Sequence, residues 1–171
     1  FIHNTFVECG LIDFGTGATG NTWANNIFKK ASGNIFSGSS SGISWAGNIY
    51  QGTLGISIPS GMTSADPQLV LNADGYFGLS SSSPAIDASS ASYPAIPDFA
   101  GIEDDPTLLL DISGQSRPVS ATAKDVGCDE YGVNGSLNHP LRLSDVGPSY
   151  KGGPGSAVTA PTGTFVKIWP S

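Results

Sequence analysis

Short segments in which a polar residue precedes a β-branched residue and then an aromatic one recur along the first third of the chain. They are Asn4-Thr5-Phe6, Asn26-Ile27-Phe28, Asn34-Ile35-Phe36 and Asn48-Ile49-Tyr50. Asn4, Asn26 and Asn48 stand 22 residues apart, and Asn34 falls 8 residues into the second interval, where another strand of the same turn is expected. A fixed period of short strands without a helical pattern predicts a solenoid. Each period forms one coil, and coils stack about 4.8 Å apart through parallel backbone hydrogen bonds. Phe6, Phe28 and Tyr50 then form an aromatic ladder, with Ile27 and Ile49 at equivalent positions. Asn4, Asn26 and Asn48 form an Asn ladder at a coil corner, where Asn tolerates left-handed backbone and its amide bonds to the next coil. A β-sandwich with turns at similar spacing is the competing architecture.

Beyond residue 52 the period fades. Asp66-Pro67-Gln68-Leu69-Val70-Leu71 predicts a turn and short strand, and residues 93–107, rich in proline and acids, a long surface loop. Leu108 to Ile112 followed by Ser113-Gly114-Gln115 reads as a strand and tight turn, and Val126 to Tyr131 as a last edge strand. Residues 1–132 are therefore expected to form one domain. Residues 133–171, with Gly152-Gly153-Pro154-Gly155, are expected to form an extended tail or linker, Thr164 to Trp169 being a strand that leads to a further module.

Composition narrows the function classes. Gly 23 and Pro 12, with only 12% charged residues, fit a turn-rich all-β chain. A net charge of −7 excludes the basic footprint that nucleic acid requires. No apolar run approaches the roughly 18 residues of a membrane span. The chain opens within what reads as a strand, Phe1-Ile2-His3-Asn4, with no signal-peptide pattern, which suggests a piece of a longer protein. Cys9 and Cys128 match no metal spacing; a disulfide and two buried free thiols both stay open.

Three stretches carry a resemblance: Asn21-Thr22-Trp23-Ala24-Asn25-Asn26-Ile27-Phe28, Trp45-Ala46-Gly47-Asn48-Ile49-Tyr50 and Leu54-Gly55. Together with Asn4-Thr5-Phe6, they resemble the later coils of the family 6 polysaccharide lyases, which include alginate lyases and chondroitinase B. Asp66-Pro67-x-Leu69, Ser83-Pro84-Ala85-Ile86-Asp87, Ser113-Gly114-Gln115-Ser116-Arg117-Pro118 and Asp125-Val126-Gly127-Cys128-Asp129-Glu130 resemble that family's exit from the coils, though such motifs occur in many β-helix proteins. Pro140 to Tyr150 resembles the alginate-lyase branch, so the likeness spans about residues 1–150. It implies an all-β fold, a right-handed single-stranded parallel β-helix of which this chain is the C-terminal coils and cap. It also implies β-elimination on a uronate-containing polysaccharide, alginate above all. The family's Lys base, Arg acid and Ca²⁺ held by Asn and Glu lie on earlier coils, so no catalytic residue is carried over and no metal is expected here. The implied partners are an acidic, alginate-like polysaccharide and the N-terminal part of the same β-helix. Substrate size places the protein outside the cell or in the periplasm.

Taken without the family, elimination needs a base near C5–H, an acid at the glycosidic oxygen and positive charge at the carboxylate. Within the repeats only Lys29 and Lys30 are basic, and they point to opposite faces of a strand. Trp23, Trp45 and Tyr50 are the candidate sugar-stacking rings, and Lys29 with Trp45 and Tyr50 is the expected substrate-binding set. His3 is expected at the surface or lining a cleft, and Arg117 to tie its loop to Asp125 or Asp129. Glu103-Asp104-Asp105 reads as a solvated loop rather than a Ca²⁺ site. A pectinase-like hydrolase would show Asp pairs on adjacent coils, and only Glu8 and Asp13 are present. A non-catalytic, sugar-binding or adhesive solenoid is the remaining alternative.

Overall fold

The computed structural model describes residues 1–16, 18–72, 75–91, 110–118 and 124–132. The chain divides into two compact units, Phe1–His139 and Pro140–Ser171, and the second lies outside the described residues. The described part holds ten strands: β1 (Thr5–Val7), β2 (Ile12–Asp13), β3 (Thr22–Ala24), β4 (Ile27–Asn34), β5 (Phe36–Ser37), β6 (Ser44–Ala46), β7 (Asn48–Thr53), β8 (Met62–Ser64), β9 (Leu69–Leu71) and β10 (Phe77–Leu79). No helix among the described residues is long and apolar enough to cross a membrane.

Three sheets are parallel, in the orders β1-β4-β7-β8, β2-β5 and β3-β6, and β9 pairs antiparallel with β10. Thr5 lies opposite Ile27 and Ile27 opposite Ile49, so the sequence period is the strand register. Thr22 and Ser44 repeat the same interval in the third sheet. Parallel pairing buries a strand on both faces, which explains why the consecutive residues Ile27-Phe28 and Ile49-Tyr50 are all buried rather than alternating in and out. Phe28 faces inward with Phe36, Trp23, Tyr50 and Leu54, while Ile27 and Ile49 face outward beneath Leu79, Ala85 and Val126. Inside, residues of adjacent periods stack as rings. Phe6 and Phe28 lie 5.0 Å apart and 3° from parallel, Phe14 and Phe36 5.3 Å apart, Trp23 and Trp45 6.0 Å apart.

The Asn ladder runs beside them. Asn4 Nδ2 donates to Asn26 Oδ1 at 3.1 Å and Asn26 Nδ2 to Asn48 Oδ1 at 2.9 Å, each across 22 residues. The backbone N–H of Asn4 and of Asn26 donates to the same oxygens. Asn26 and Asn48 are wholly buried, a placement that only full hydrogen bonding makes tolerable. The left-handed corner is one residue earlier than expected, at His3 (φ 54°), Asn25 (54°), Gly47 (62°) and Gly61 (91°). The ladder Asn must send its side chain inward from extended backbone, so the preceding residue takes the bend.

Three sequence expectations change. Asn34 does not begin a separate strand of the turn. β4 continues to it through a shift in register between Lys29 and Asn34, and β5 starts at Phe36. Val126 to Tyr131 is not an edge strand. Gly127, at φ 101°, breaks the extension, and its N–H donates to Asn25 O at 2.8 Å, laying this segment across Thr5 and Ile27. Of the strand expected over Leu108 to Ile112, the described part from Leu110 onward holds a lone antiparallel bridge of Leu110 with Ser116, because Asp111 Oδ1 accepts from Ser113 N and Gln115 N and curls the chain. The 93–107 loop with its three adjacent acids, and everything proposed for 133–171, lie outside the described residues.

Candidate functional site

Lys29 lies on the outer face of β4, opposite Val7 on one side and Gln51 on the other. Its Nζ is 3.1 Å from Asp66 Oδ1, with side chains 31% and 51% exposed. The N–H of Gln68 and, secondarily, the Lys29 ammonium hold the Asp66 carboxyl below its ordinary range. Lys30 turns aside and donates to Asn34 O. The hollow beside Lys29 and Lys30, walled by Cys9, Gly10 and Ile12, has room for about one water molecule and none for a sugar ring.

The two candidate aromatic residues lie elsewhere. Tyr50 is 6% exposed and belongs to the interior cluster. Trp45 stands on β6, stacked on Trp23 and met edge-on by Phe14 at 5.9 Å and Phe36 at 5.5 Å. Its Nε1 is buried without a partner among the described residues. Lys29 thus leaves the sheet on the side opposite the rings, and the three side chains do not converge.

Convergence occurs instead over the first two periods, where Arg117 and Glu130 form an ion pair at 3.0 Å with side chains only 6% and 2% exposed. The expected partner of Arg117 was Asp125 or Asp129. Both are already engaged: Asp125 accepts from Asp87 N and Tyr131 N, and Asp129 from Leu79 N. Glu130 Oε2 takes the guanidinium, Oε1 takes Asp125 N at 3.1 Å, and Arg117 Nη2 donates to Gly127 O at 2.9 Å. Asp111 supports Glu130 by accepting its N–H. Burial pushes Glu130 up to about 7, and the Asp125 charge adds to this against the pull of Arg117. Burial likewise raises Asp125 and Asp129 and lowers Lys124.

His3 is part of this clasp rather than of a cleft. Its Nδ1 lies 3.1 Å from Asp125 O, and Asn25 Nδ2 lies 3.4 Å from its Nε2. Asn25 Oδ1 accepts from Ser90 N, which fixes the amide orientation. The neutral Nδ1–H tautomer satisfies both contacts. Burial, then the Arg117 charge 3.5 Å away, lower the His3 pKa to about 4. Such a ring is a neutral fastener at physiological pH.

Chemically, three of the described cations have assigned partners: Lys29 with Asp66, Lys30 with a carbonyl, Arg117 with Glu130. Both cysteines are free thiols, Cys9 exposed and Cys128 half-buried, with burial raising the latter's pKa. No group of three or more His, Cys, Asp or Glu among the described residues can hold a metal ion. The clasp carboxylates do not fit Ca²⁺, since their oxygens are spent on N–H groups and a guanidinium. Lys151, Lys167, Arg142 and His139 lie outside the described residues. Sequence reading missed Glu130 and Asp111 because their spacing from Arg117 carries no period; the acidic run after Val126-Gly127 was the one available signal. Comparison with models of known protein families, with curated proteins and with solved structures returned no match.

Proposed function

We propose that this chain forms the closing coils and cap of a right-handed parallel β-helix from a secreted polysaccharide lyase. The parent enzyme cleaves a uronate-containing polysaccharide, most specifically alginate, by β-elimination. Its base, acid and Ca²⁺ site belong to coils that stack before Asn4, and the residues described here supply rigidity. The observation that carries this reading is the strand register of the Asn ladder: three parallel sheets, two of them repeating at the period of the sequence. Support for the chemistry comes from the sequence motifs, and from the engagement of Lys29, Lys30 and Arg117 in structural contacts. The buried Arg117–Glu130 clasp supports the capping role, since it pins non-repeating segments onto the outer face of the sheet.

The test is to express the parent gene whole and mix the product with alginate, following the ultraviolet absorbance of the unsaturated uronate. Absorbance growing with the whole protein and absent with this chain alone is the expected result. New reducing ends without absorbance would make the protein a hydrolase. Retention of the polymer without any cleavage would make it a binding solenoid.

A further inference from the structure

Outside the repeats, the antiparallel β9–β10 hairpin has two edges that the fold treats differently. Ser80 N donates to Gln68 O at 3.1 Å and Asn72 N to Tyr76 O at 2.9 Å. Gln68, Val70 and Asn72 therefore turn their backbone groups toward β10, while Leu69 and Leu71 turn theirs away from it. The outer edge of β10 is closed, because Leu79 N donates to Asp129 Oδ2 at 2.8 Å. No described residue pairs with the outer edge of β9. Its side chains are uncovered too: Val70 is 53% exposed and Leu71 58%. Val70 lies opposite Gly78, and a Cβ at Gly78 would stand 3.0 Å from the Asp129 carboxylate. The carboxylate that closes the β10 edge thus keeps position 78 small and leaves Val70 bare.

The exposed strand reads nearly the same in both directions. Gln68-Leu69-Val70-Leu71-Asn72 is amide, Leu, Val, Leu, amide about Val70. Such a strand is complementary to itself when a second copy runs antiparallel, the arrangement that a two-fold axis imposes. It carries no charge, so two chains of net charge −7 meet there without like charges opposed across the joint. Exposed edges ordinarily block such an encounter with a Lys, a Pro or a bulge. Gln68 to Asn72 holds none of these, and Pro67 only sets where the pairing stops.

We infer that the outer edge of β9 is a self-association surface, on which a second copy of this chain lays its own β9 antiparallel about Val70. Leu69 and Leu71 of one copy exchange four backbone hydrogen bonds with Leu71 and Leu69 of the other. The two Val70 side chains meet in the narrow, non-hydrogen-bonded pair, where side chains approach most closely. Leu71 covers the other copy's Leu69, extending the apolar face on which Leu69 and Leu79 already pack with Ala85 and Val126. A continuous four-stranded sheet results. Only five residues of each copy enter the joint, far fewer than a standard interface uses, so the dimer is weak, with a Kd on the order of 0.1 mM. The surface is separate from the stacking of coils and stands whatever the chemistry of the parent enzyme.

Sedimentation equilibrium of the chain from about 10 µM to about 1 mM, with backbone amide exchange followed by NMR at both ends of that range, tests the surface. Expected are an average mass that rises toward the dimer and protection at Leu69 and Leu71 that grows with concentration. Val70→Lys sets two ammonium groups in the narrow pair and weakens association at least about tenfold. Val70→Thr, β-branched and uncharged, weakens it less than about threefold. Unchanged circular dichroism of the Val70→Lys monomer shows that the substitution leaves the fold intact. A monomer mass throughout the range, or association that Val70→Lys leaves untouched, overturns the inference. Protection at Leu69 and Leu71 that is equal at both concentrations assigns the cover to the same chain and overturns it as well.

Discussion

Replacing Asn26 by Ala tests whether the Asn ladder organises the fold. Asn26 is fully buried and takes part through its side chain in four hydrogen bonds: two accepted from Asn4, one donated to Asn48 Oδ1 at 2.9 Å and one donated to Phe1 O at 3.1 Å. At about 1 kcal/mol net each these amount to about 4 kcal/mol, but the partners are not left equally stranded. Asn48 Oδ1 keeps the backbone N–H of Asn26, while Asn4 is only half-buried and can turn to water. About 3 kcal/mol is therefore expected for Asn26→Ala, and about 1 kcal/mol for Asn4→Ala, whose side chain makes bonds only at the edge of the ladder. Urea unfolding read by tryptophan fluorescence measures both. With a slope of about 1.5 kcal/mol per molar, Asn26→Ala lowers the midpoint by about 2 M and Asn4→Ala by under 1 M. Equal losses for the two variants, or a loss below about 1 kcal/mol for Asn26→Ala, would refute the interior ladder.

The remaining predictions concern the clasp and the corners. Glu130→Ala strips Arg117 Nη1 and Asp125 N of their acceptor in a buried site and is expected to cost about 3–5 kcal/mol in the same assay, whereas Lys29→Gln, breaking a solvent-exposed pair, costs under about 1 kcal/mol. His3, lowered from 6.5 to about 4, contributes stability that is complete above pH 6.5 and lost as pH falls toward 4. Glu130, raised from 4.5 to about 7, acts with the opposite sign: its contribution is complete below pH 4.5 and lost as pH rises toward 7. The two slopes oppose each other between pH 4.5 and 6.5. His3→Gln therefore exposes a stability that declines with rising pH, and denaturation midpoints that rise with pH in that variant would contradict the assignment. Gly47→Ala combines a φ of 62° with a Cβ driven into Asn25 Oδ1, and a loss of at least about 2 kcal/mol is expected from thermal unfolding.

What the sequence made legible is what repeats. Asn, Ile and aromatic residues returning every 22 positions predict which residues face one another, and Phe6 does lie against Phe28, with Phe28 opposite Tyr50 in register. The corner was misplaced by one residue because His3, Asn25 and Gly47 share a backbone conformation without sharing a side chain. The clasp was legible only in part. Arg117 was visibly a tether, yet three carboxylates follow it closely, and the choice of Glu130 depends on which backbone N–H groups consume Asp125 and Asp129. His3 lies 122 residues from Asp125, and nothing local to either announces the contact.

Two-sided burial also governs where the polysaccharide proposed above could touch this sheet. Its inner face is filled by stacked rings, and the Thr5–Ile27–Ile49 row of its outer face lies under Leu79, Ala85 and Val126. The neighbouring row of Val7, Lys29 and Gln51 keeps access to solvent, but the carboxylate of Asp66 already neutralises its one cation. A polyanion approaching this row meets Asp66 before it meets free positive charge. Asp66→Asn therefore separates two roles for Lys29. If Lys29 only fastens Asp66, the substitution leaves affinity for an alginate oligosaccharide unchanged by calorimetry. If Lys29 is a sugar contact held in reserve, removing its counter-charge raises that affinity several-fold and makes it fall with added salt. The geometry of the pair favours the fastening role, because Gln68 N and Lys29 Nζ converge on the same Asp66 oxygen. An affinity gain in Asp66→Asn would overturn it.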